Sequence, residues 1–449
     1  MPKNDLYLLI IIDKKNNLSY PCPFMSRDEL EKKSFEGLGI SPGLLKRIAA
    51  LGFKHPTPIQ HQAIPIATSG EDVVGVAQTG SGKTLAFSIP MLQIVSTQKK
   101  MGLVLLPTRE LAVQVEETLR KVGGSVGLRT ALVIGGTNPR PQIRKLKARP
   151  HVIVATPGRL IDHVESKVIS LRNVGILVLD EADRMLDMGF APQLRTILEF
   201  VPDDRQTMLF SATMPKEITE IARQYMKKPL RVEVARPGTT VDTIEQEMII
   251  VPRSGKLDLL ERILKENKGS VLVFSRTKHG AKKIAERVRK MGYTADELHS
   301  NRSQGQRQKA LKGFATRKFR VMVATDIAAR GIDIDDLPLV INFDLPEQAD
   351  DYVHRIGRTG RAGKHGKAIS FATSDQKGDI ATIQRLIDMI LPIKSHTGED
   401  LDSISKTLPS GRSKSRYGRG RRSGRGGGGR RSGGGGRSGR QFSPRQKKK

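Results

Sequence analysis

The sequence predicts an α/β protein: two parallel-sheet domains in tandem, followed by a disordered basic Gly/Arg-rich tail. Three observations predict it. Two separate stretches repeat short apolar β-rich strand, turn and amphipathic helix. A Pro/Gly-containing segment, 228–243 (KKPL and ARPGTT), parts them as a linker. From Ser410 onward the chain is Gly, Arg and Ser with almost nothing apolar, so it cannot bury a core. A length of 449 residues suits two or three domains.

The expected organisation is a leader without order (1–32), a first domain (33–235), a second domain (236–395) and the tail (396–449). In the prefix, SPGLLKRIAALGF reads as a helix, with Ser41 as cap, Pro42 in the first turn and Gly52 as stop. First-domain strands are expected at 72–77, 103–106, 130–134, 152–155, 176–179 and 207–210. Those of the second are expected at 271–274, 294–298, 321–324, 340–343 and 368–371. Strands such as ILVL and VMVA are apolar throughout, which suits burial on both faces. Functional residues should then sit just past the strand C-terminal ends.

Charge and cysteine usage narrow the function. The net charge is +31, from 77 Lys and Arg against 46 Asp and Glu, which points to a polyanionic partner. Residues 409–449 hold 11 Arg, 4 Lys and no acid, so +15 lies in the tail and 31 − 15 = +16 in the other 408 residues. Cys22 is the only cysteine, which excludes an intrachain disulfide and a thiolate metal site. The apolar run 6–12 is too short to span a bilayer, and the expectation is a soluble cytoplasmic protein with no membrane association and a monomeric core. Met25 opens a more polar second start, MSRDELEKK.

Two motifs carry chemistry. Residues 77–84 read AQTGSGKT (Ala77, Gln78, Thr79, Gly80, Ser81, Gly82, Lys83, Thr84) directly after the strand DVVGVA. Gly80 and Gly82 let the backbone wrap so that its N–H groups face a triphosphate. Lys83 reaches the β/γ-phosphates, and Thr84 offers a hydroxyl to Mg²⁺. Ala77 stands where the generic motif has Gly, and a small residue still permits the turn. The second motif, Asp180-Glu181-Ala182-Asp183, ends the strand ILVL. An acid there can hold the metal's water shell, and the adjacent Glu can deprotonate an attacking water. The tetrapeptide alone would suit a charged helix start equally well; the phosphate loop in the same domain favours catalysis.

Further motifs follow in order: Phe35 and GFKHPTPIQ (52–60), PTREL (107–111), Gly135-Gly136, TPGR (156–159), SAT (211–213), VFSRTK (273–278), ATDIAARGID (324–333) and HRIGRTGRAG (354–363). With them the chain resembles the DEAD-box RNA helicases from about residue 35 to 393. LHSNRSQGQRQKALKGF and the basic tail are similar to the bacterial RNA-helicase-like E branch. Ser300 departs from the Gly common in relatives. The resemblance implies two RecA-like domains that bind ATP, Mg²⁺ and RNA across the cleft between them. It implies that Gln60 reads the adenine edge, Phe53 offers a face for stacking, Phe35, Gly331 and Asp333 belong to the nucleotide site, and Arg358 and Arg361 act as arginine fingers. It also implies that His354, Ser211 and Thr213 couple the nucleotide to RNA. The chemistry agrees: an amide can bond the adenine N6/N7 edge twice, and Arg stabilises charge at a γ-phosphate.

For RNA, the resemblance implicates Pro107, Thr108, Arg109, Gly136, Thr156, Gly158 and Arg159 in the first domain, and Arg276 and Thr325 in the second. Small hydroxyls, backbone amides and Arg suit phosphate contacts, which position a strand without reading bases. Aromatics are 4% of the chain and Trp is absent, so stacking-based sequence readout is not expected. Ribosomal precursors or the RNA-degradation machinery are the partners such a branch suggests. The readings weighed against an RNA helicase are a non-catalytic RNA clamp or annealing chaperone and a DNA helicase. Lys83, Glu181 and both finger arginines argue against the first, Gln60 with PTREL and TPGR against the second.

Overall fold

The computed structural model describes residues 6–13, 18–26, 33–77, 80–124, 127–234, 244–329, 337–360 and 366–397. A short antiparallel pair opens the chain, β1 (Leu6–Asp13) with β2 (Leu18–Ser26). Of the expected leader, residues 1–32, only these two strands fall within the described residues.

The first sheet comprises β3 (Val73–Val76), β4 (Met101–Leu105), β5 (Thr130–Val133), β6 (Val152–Ala155), β7 (Val174–Asp180), β8 (Gln206–Ser211) and β9 (Leu230–Glu233), in the order β5-β6-β4-β7-β8-β3-β9. The second comprises β10 (Ile244–Ile250), β11 (Val271–Phe274), β12 (Ala295–Leu298), β13 (Val321–Ala324), β14 (Leu339–Asn342), β15 (Gly366–Ala372) and β16 (Ile393–Ser395), in the order β12-β13-β11-β14-β15-β10-β16. Every strand pairing within both sheets is parallel. These are two RecA-like domains in tandem, both within one compact unit.

The two orders are the same order. Each sheet places its first strand next to last and its last strand at the edge. Backbone bonds between strand ends repeat as well. Ala77 N donates to Ser211 O (3.0 Å) as Val251 N does to Ala372 O (2.9 Å). Thr156 N donates to Val133 O (3.0 Å) as Thr325 N does to Leu298 O (3.1 Å).

Central strands such as β3, β4, β6, β7 and β8 are buried along their whole length, so apolar side chains on both faces have helices to pack against. Separate apolar clusters form on the two faces of the first sheet, one around Phe87, Val104 and Phe210, the other around Leu103, Leu179 and Met185. The second sheet is built likewise around Val273, Ile341 and Phe371 on one side and Leu272, Phe314 and Val340 on another.

Three expectations change. Residues 228–243 are not linker throughout: β9 lies inside and pairs with β3, because alternating LRVE fits a sheet edge. Two strands beyond those expected, β10 and β16, complete the second sheet. Pro42 opens the helix Pro42–Ala50 as expected, but the Ser41 side chain makes no cap bond; its N–H donates to Gln93 Oε1 (2.9 Å) instead.

Candidate nucleotide and nucleic-acid site

The phosphate loop leaves β3 and enters the helix Lys83–Gln98. Gly80 and Gly82 have φ of 84° and 92°, which glycine adopts without strain. A Cβ at Gly82 would collide with the Gln60 amide. Gln60 is buried; its Oε1 accepts from Thr57 N (3.0 Å) and its Nε2 donates to Gly82 O (3.0 Å). The amide assigned to the adenine edge is thus engaged at both ends with its own helix start and with the loop. Lys83 is buried and its Nζ donates to Ala77 O (2.8 Å), folding back over the loop. Gln78 and Thr79 lie outside the described residues.

The acids sit at the neighbouring strand end. Asp180 ends β7, fully enclosed, and burial pushes its carboxyl up to about 6 against the pull of Lys83. Its Oδ1 accepts from Glu181 N (3.0 Å). Glu181 has φ 52°, a left-handed backbone that costs a non-glycine residue about 1 kcal/mol or more. That turn carries its carboxylate to Arg184, with Oε2 3.0 Å from Nη1 and both side chains buried. Asp183 Oδ2 accepts from Ala212 N (3.1 Å), Thr213 N (2.8 Å) and Thr213 Oγ1 (2.9 Å), while Asp183 N donates to Ser211 Oγ (3.1 Å). Ser211 and Thr213 are therefore tied to the acidic turn.

Phe35 packs into the core of the first sheet, whereas Phe53 is 42% exposed. Gly331, Asp333 and Arg361 lie outside the described residues. Arg358 is buried and lines a small cavity with His354, Arg355, Asp326 and Phe274 of the second sheet's elements and Arg184 of the first's. A second contact joins the same two parts. Arg307 grips Glu110 of the PTREL segment with two bonds, Nε to Oε1 and Nη2 to Oε2, both 2.8 Å and buried. Neither partner was singled out from the sequence.

The residues expected to touch RNA stand at strand ends. Pro107 and Thr108 follow β4, and Thr108 Oγ1 accepts from Leu111 N (3.3 Å) to cap the helix Arg109–Gly123. The Arg109 guanidinium covers Gly136, whose φ of 67° and missing Cβ make the room. Thr156 is the N-cap residue of the helix Pro157–Glu165, which carries Gly158; Arg159 there pairs with Asp162 (3.2 Å) and donates to Thr137 O (3.2 Å). Thr325 follows β13, and the exposed Arg276 follows β11 with its N–H on Asp344 Oδ2 (3.1 Å). Beyond these, Arg355 is the largest fully buried side chain among the described residues: Nε and Nη2 bind the two Asp326 oxygens (2.5 and 2.7 Å) and Nη1 reaches Asn342 Oδ1 (3.2 Å) and Asp344 O (2.6 Å).

Among the described residues no group of three or more His, Cys, Asp or Glu could hold a metal ion, and no helix is long and apolar enough to cross a membrane. The sequence profile of the DEAD/DEAH box helicases matches residues 57–221, and that of the helicase conserved C-terminal domain matches residues 255–363. The chain is 44% identical over 355 residues to the DEAD-box ATP-dependent RNA helicase CshA of Bacillus cereus, covering 78% of this chain and 68% of the relative. It is 42% identical to the ATP-dependent rRNA helicase RRP3 of Yarrowia lipolytica, covering 87% and 80%. Its fold is similar to that of S. cerevisiae Dbp5 bound to RNA and ADP BeF3, at 31% identity and a TM-score of 0.74 over 84% of this chain and 98% of the other.

Proposed function

This chain belongs to the DEAD-box ATP-dependent RNA helicases, which are ATP-hydrolysing, RNA-binding enzymes, and from that premise we propose that it couples RNA-stimulated ATP hydrolysis to local, non-processive unwinding of short duplexes and remodelling of RNA–protein complexes. The observation that carries the proposal is the cavity lined jointly by Arg184, which holds Glu181, and by Arg358. It brings the arginine of the second sheet beside the acidic turn of the first, which is the arrangement phosphoryl transfer requires.

The residues present fit ATP and Mg²⁺. Gly80 and Gly82 take the positive φ that a loop wrapping a phosphate requires. Asp180 is a buried carboxylate whose nearest positive charge is Lys83, so a cation beside it would relieve its burial penalty. With no cluster of three or more acidic or imidazole ligands among the described residues, an ion would share Asp180 and Thr84 with phosphate oxygens, the usual manner for Mg²⁺. When bound, that ion neutralises charge on the phosphates. Lys83 leaves Ala77 O for the phosphates, Glu181 leaves Arg184 and takes the proton of the attacking water, and Arg358 with Arg361 stabilises charge as it develops.

RNA lies along the strand ends, gripped through its phosphates by Thr108, Arg109, Thr156 and Arg159 on one side and Arg276 and Thr325 on the other. Binding of ATP and RNA together draws the two halves into one closed arrangement that bends one strand and loosens its pairing. The 15 positive charges of the tail add salt-sensitive affinity. Ribosomal precursors are the favoured class of target, supported by the likeness to RRP3, which is named an rRNA helicase; RNA-degradation complexes are the second. The test is ATP turnover with RNA, with DNA and with neither, alongside displacement of a ten-base-pair RNA duplex (about one helical turn). Turnover stimulated equally by DNA, or RNA binding without turnover, would overturn the proposal.

A further inference from the structure

The common strand order lets each functional position of the first sheet be followed into the second. Leu105 pairs with Leu179, and Phe274 pairs with Asn342. Leu105 and Phe274 each stand three residues before a helix-capping threonine, Thr108 and Thr277. Counting on from Leu179 and Asn342, Asp344 falls where Glu181 falls. At β3 and β10, which β8 and β15 separate from β7 and β14, Ala77 and Val251 match through their bonds to Ser211 and Ala372, and the helix that follows begins at Lys83 in one sheet and at Lys256 in the other. The connection is one residue shorter in the second sheet and carries Pro252.

The positions of the phosphate lysine and the catalytic acid are therefore both occupied in the second sheet, by residues of the same charge. Here they close on each other. Lys256 is buried; its Nζ is 3.0 Å from Asp344 Oδ1 and donates to Phe343 O at 2.6 Å. The other Asp344 oxygen accepts from Arg276 N (3.1 Å) and Ser275 Oγ (3.3 Å), and the Asp344 carbonyl accepts from Arg355 (2.6 Å). Burial pushes the Asp344 carboxyl up, but Lys256 and the Arg276 N–H outweigh it and hold it below the usual range. A cavity of about 400 Å³ remains beside this end, lined by Val251, Pro252, Arg253, Thr373 and His396.

We propose that Lys256 and Asp344 are a nucleotide-site pair converted into a strut that positions the Ser275–Arg276 turn for RNA. Both are positioning residues, since neither faces the cleft chemistry. The proposal rests on the reading of Arg276 as an RNA contact. Two features favour positioning over bulk stability. The carboxylate divides its oxygens between the lysine and the turn, so the ion pair fixes where the Arg276 backbone stands. The same residue supports Arg355 through its main chain, which a side-chain change leaves in place.

The test is RNA titration of ATP turnover in the full chain. Asp344→Asn removes a charge-assisted acceptor, worth about tenfold or more, so the apparent KM for RNA should rise about tenfold while kcat at saturating RNA changes by less than about twofold. Lys256→Arg, which keeps the charge, should return KM to within about threefold of the parent. The double variant Lys256→Met, Asp344→Leu controls for folding, because an apolar pair can replace a buried ion pair without loss of stability. Its thermal midpoint should recover while KM stays high. Recovery of both would make the pair merely structural and overturn the proposal. A silent Asp344→Asn beside an Arg276→Ala that raises KM would also overturn it, leaving the RNA reading intact. A silent Arg276→Ala would remove that reading, and the proposal with it.

Discussion

At equivalent strand ends the two sheets handle charge in opposite ways. The first keeps its lysine and its acids on separate partners: Asp180 is buried and pushed up to about 6, Glu181 sits on a left-handed backbone and pairs with Arg184, and Lys83 donates to a loop carbonyl. The second joins them: Lys256 is bound to Asp344, and Arg355 is held by Asp326 through two bonds. The topology is the same and the pairing differs. The difference teaches that the fold supplies positions, and that chemistry resides where the lysine and the acid are kept apart. An acid whose partner can be taken away can serve as a base, whereas one already neutralised serves as a strut.

The sharpest break of that comparison is at Glu181. Glu181→Gln keeps shape and hydrogen bonding but cannot accept a proton, so turnover should fall about a thousandfold, within the usual range for a lost general base. ATP and RNA binding, measured separately by fluorescence titration, should persist. Near-parental turnover would mean that the first sheet's acid is as idle as the second's.

Next comes the second sheet. Arg355→Met deletes both bonds to Asp326 and leaves that carboxylate without its partner, which should cost about 3 kcal/mol. Urea unfolding of parent and variant measures it, and a loss below about 1 kcal/mol would show that the bonds hold little.

Asp180 offers a gain of stability. Folding raises its pKa from 3.8 to about 6, so the folded state binds the proton more tightly than the unfolded one. The penalty of the ionised carboxyl is therefore absent below about pH 4 and grows as pH rises through 6. Asp180→Asn should abolish turnover yet stabilise the nucleotide-free protein by about 3 kcal/mol at pH 8, and by almost nothing at pH 4. A constant difference across that range would mean that the burial is not felt by the charge.

The sequence made one side of this comparison far more legible than the other. The loop, the acids and the arginines of HRIGRTGRAG stand in contiguous runs, so these motifs could be picked out directly. Central strands were readable for a similar reason, since burial on both faces demands unbroken apolar runs. Four contributions were not: β9, β10, β16 and the partnership of Lys256 with Asp344. Edge strands are short and one-sided, so β9 reads as the start of a linker. The Lys256–Asp344 pair joins residues 88 apart in sequence, and only the sheet order brings them together. Glu110 with Arg307 is the extreme case, 197 residues apart.

The smallest effect belongs to a matched pair. Thr108 and Thr277 cap the helices that follow β4 and β11, each accepting from the backbone N–H three residues on, at 3.3 and 3.0 Å. Capping alone should make Thr108→Ala and Thr277→Ala equally costly, about 1 kcal/mol each. Their surroundings differ: Thr108 is 5% exposed and Thr277 is on the surface, so Thr108→Ala also loses the packing of its methyl. Serine separates the two contributions, because it keeps the hydroxyl and drops only the methyl. Thr277→Ser should be neutral in urea unfolding, while Thr108→Ser should cost a few tenths of a kcal/mol or more, a fraction of a buried methylene. The RNA titration then adds what stability cannot. If Thr108 also touches phosphate, its alanine variant should weaken RNA binding beyond its serine variant, and the Thr277 pair should show no such gap. A gap of equal size at both threonines would make the capping turns alike in function as well as in fold, and the contrast between the two sheets would then be confined to the nucleotide end.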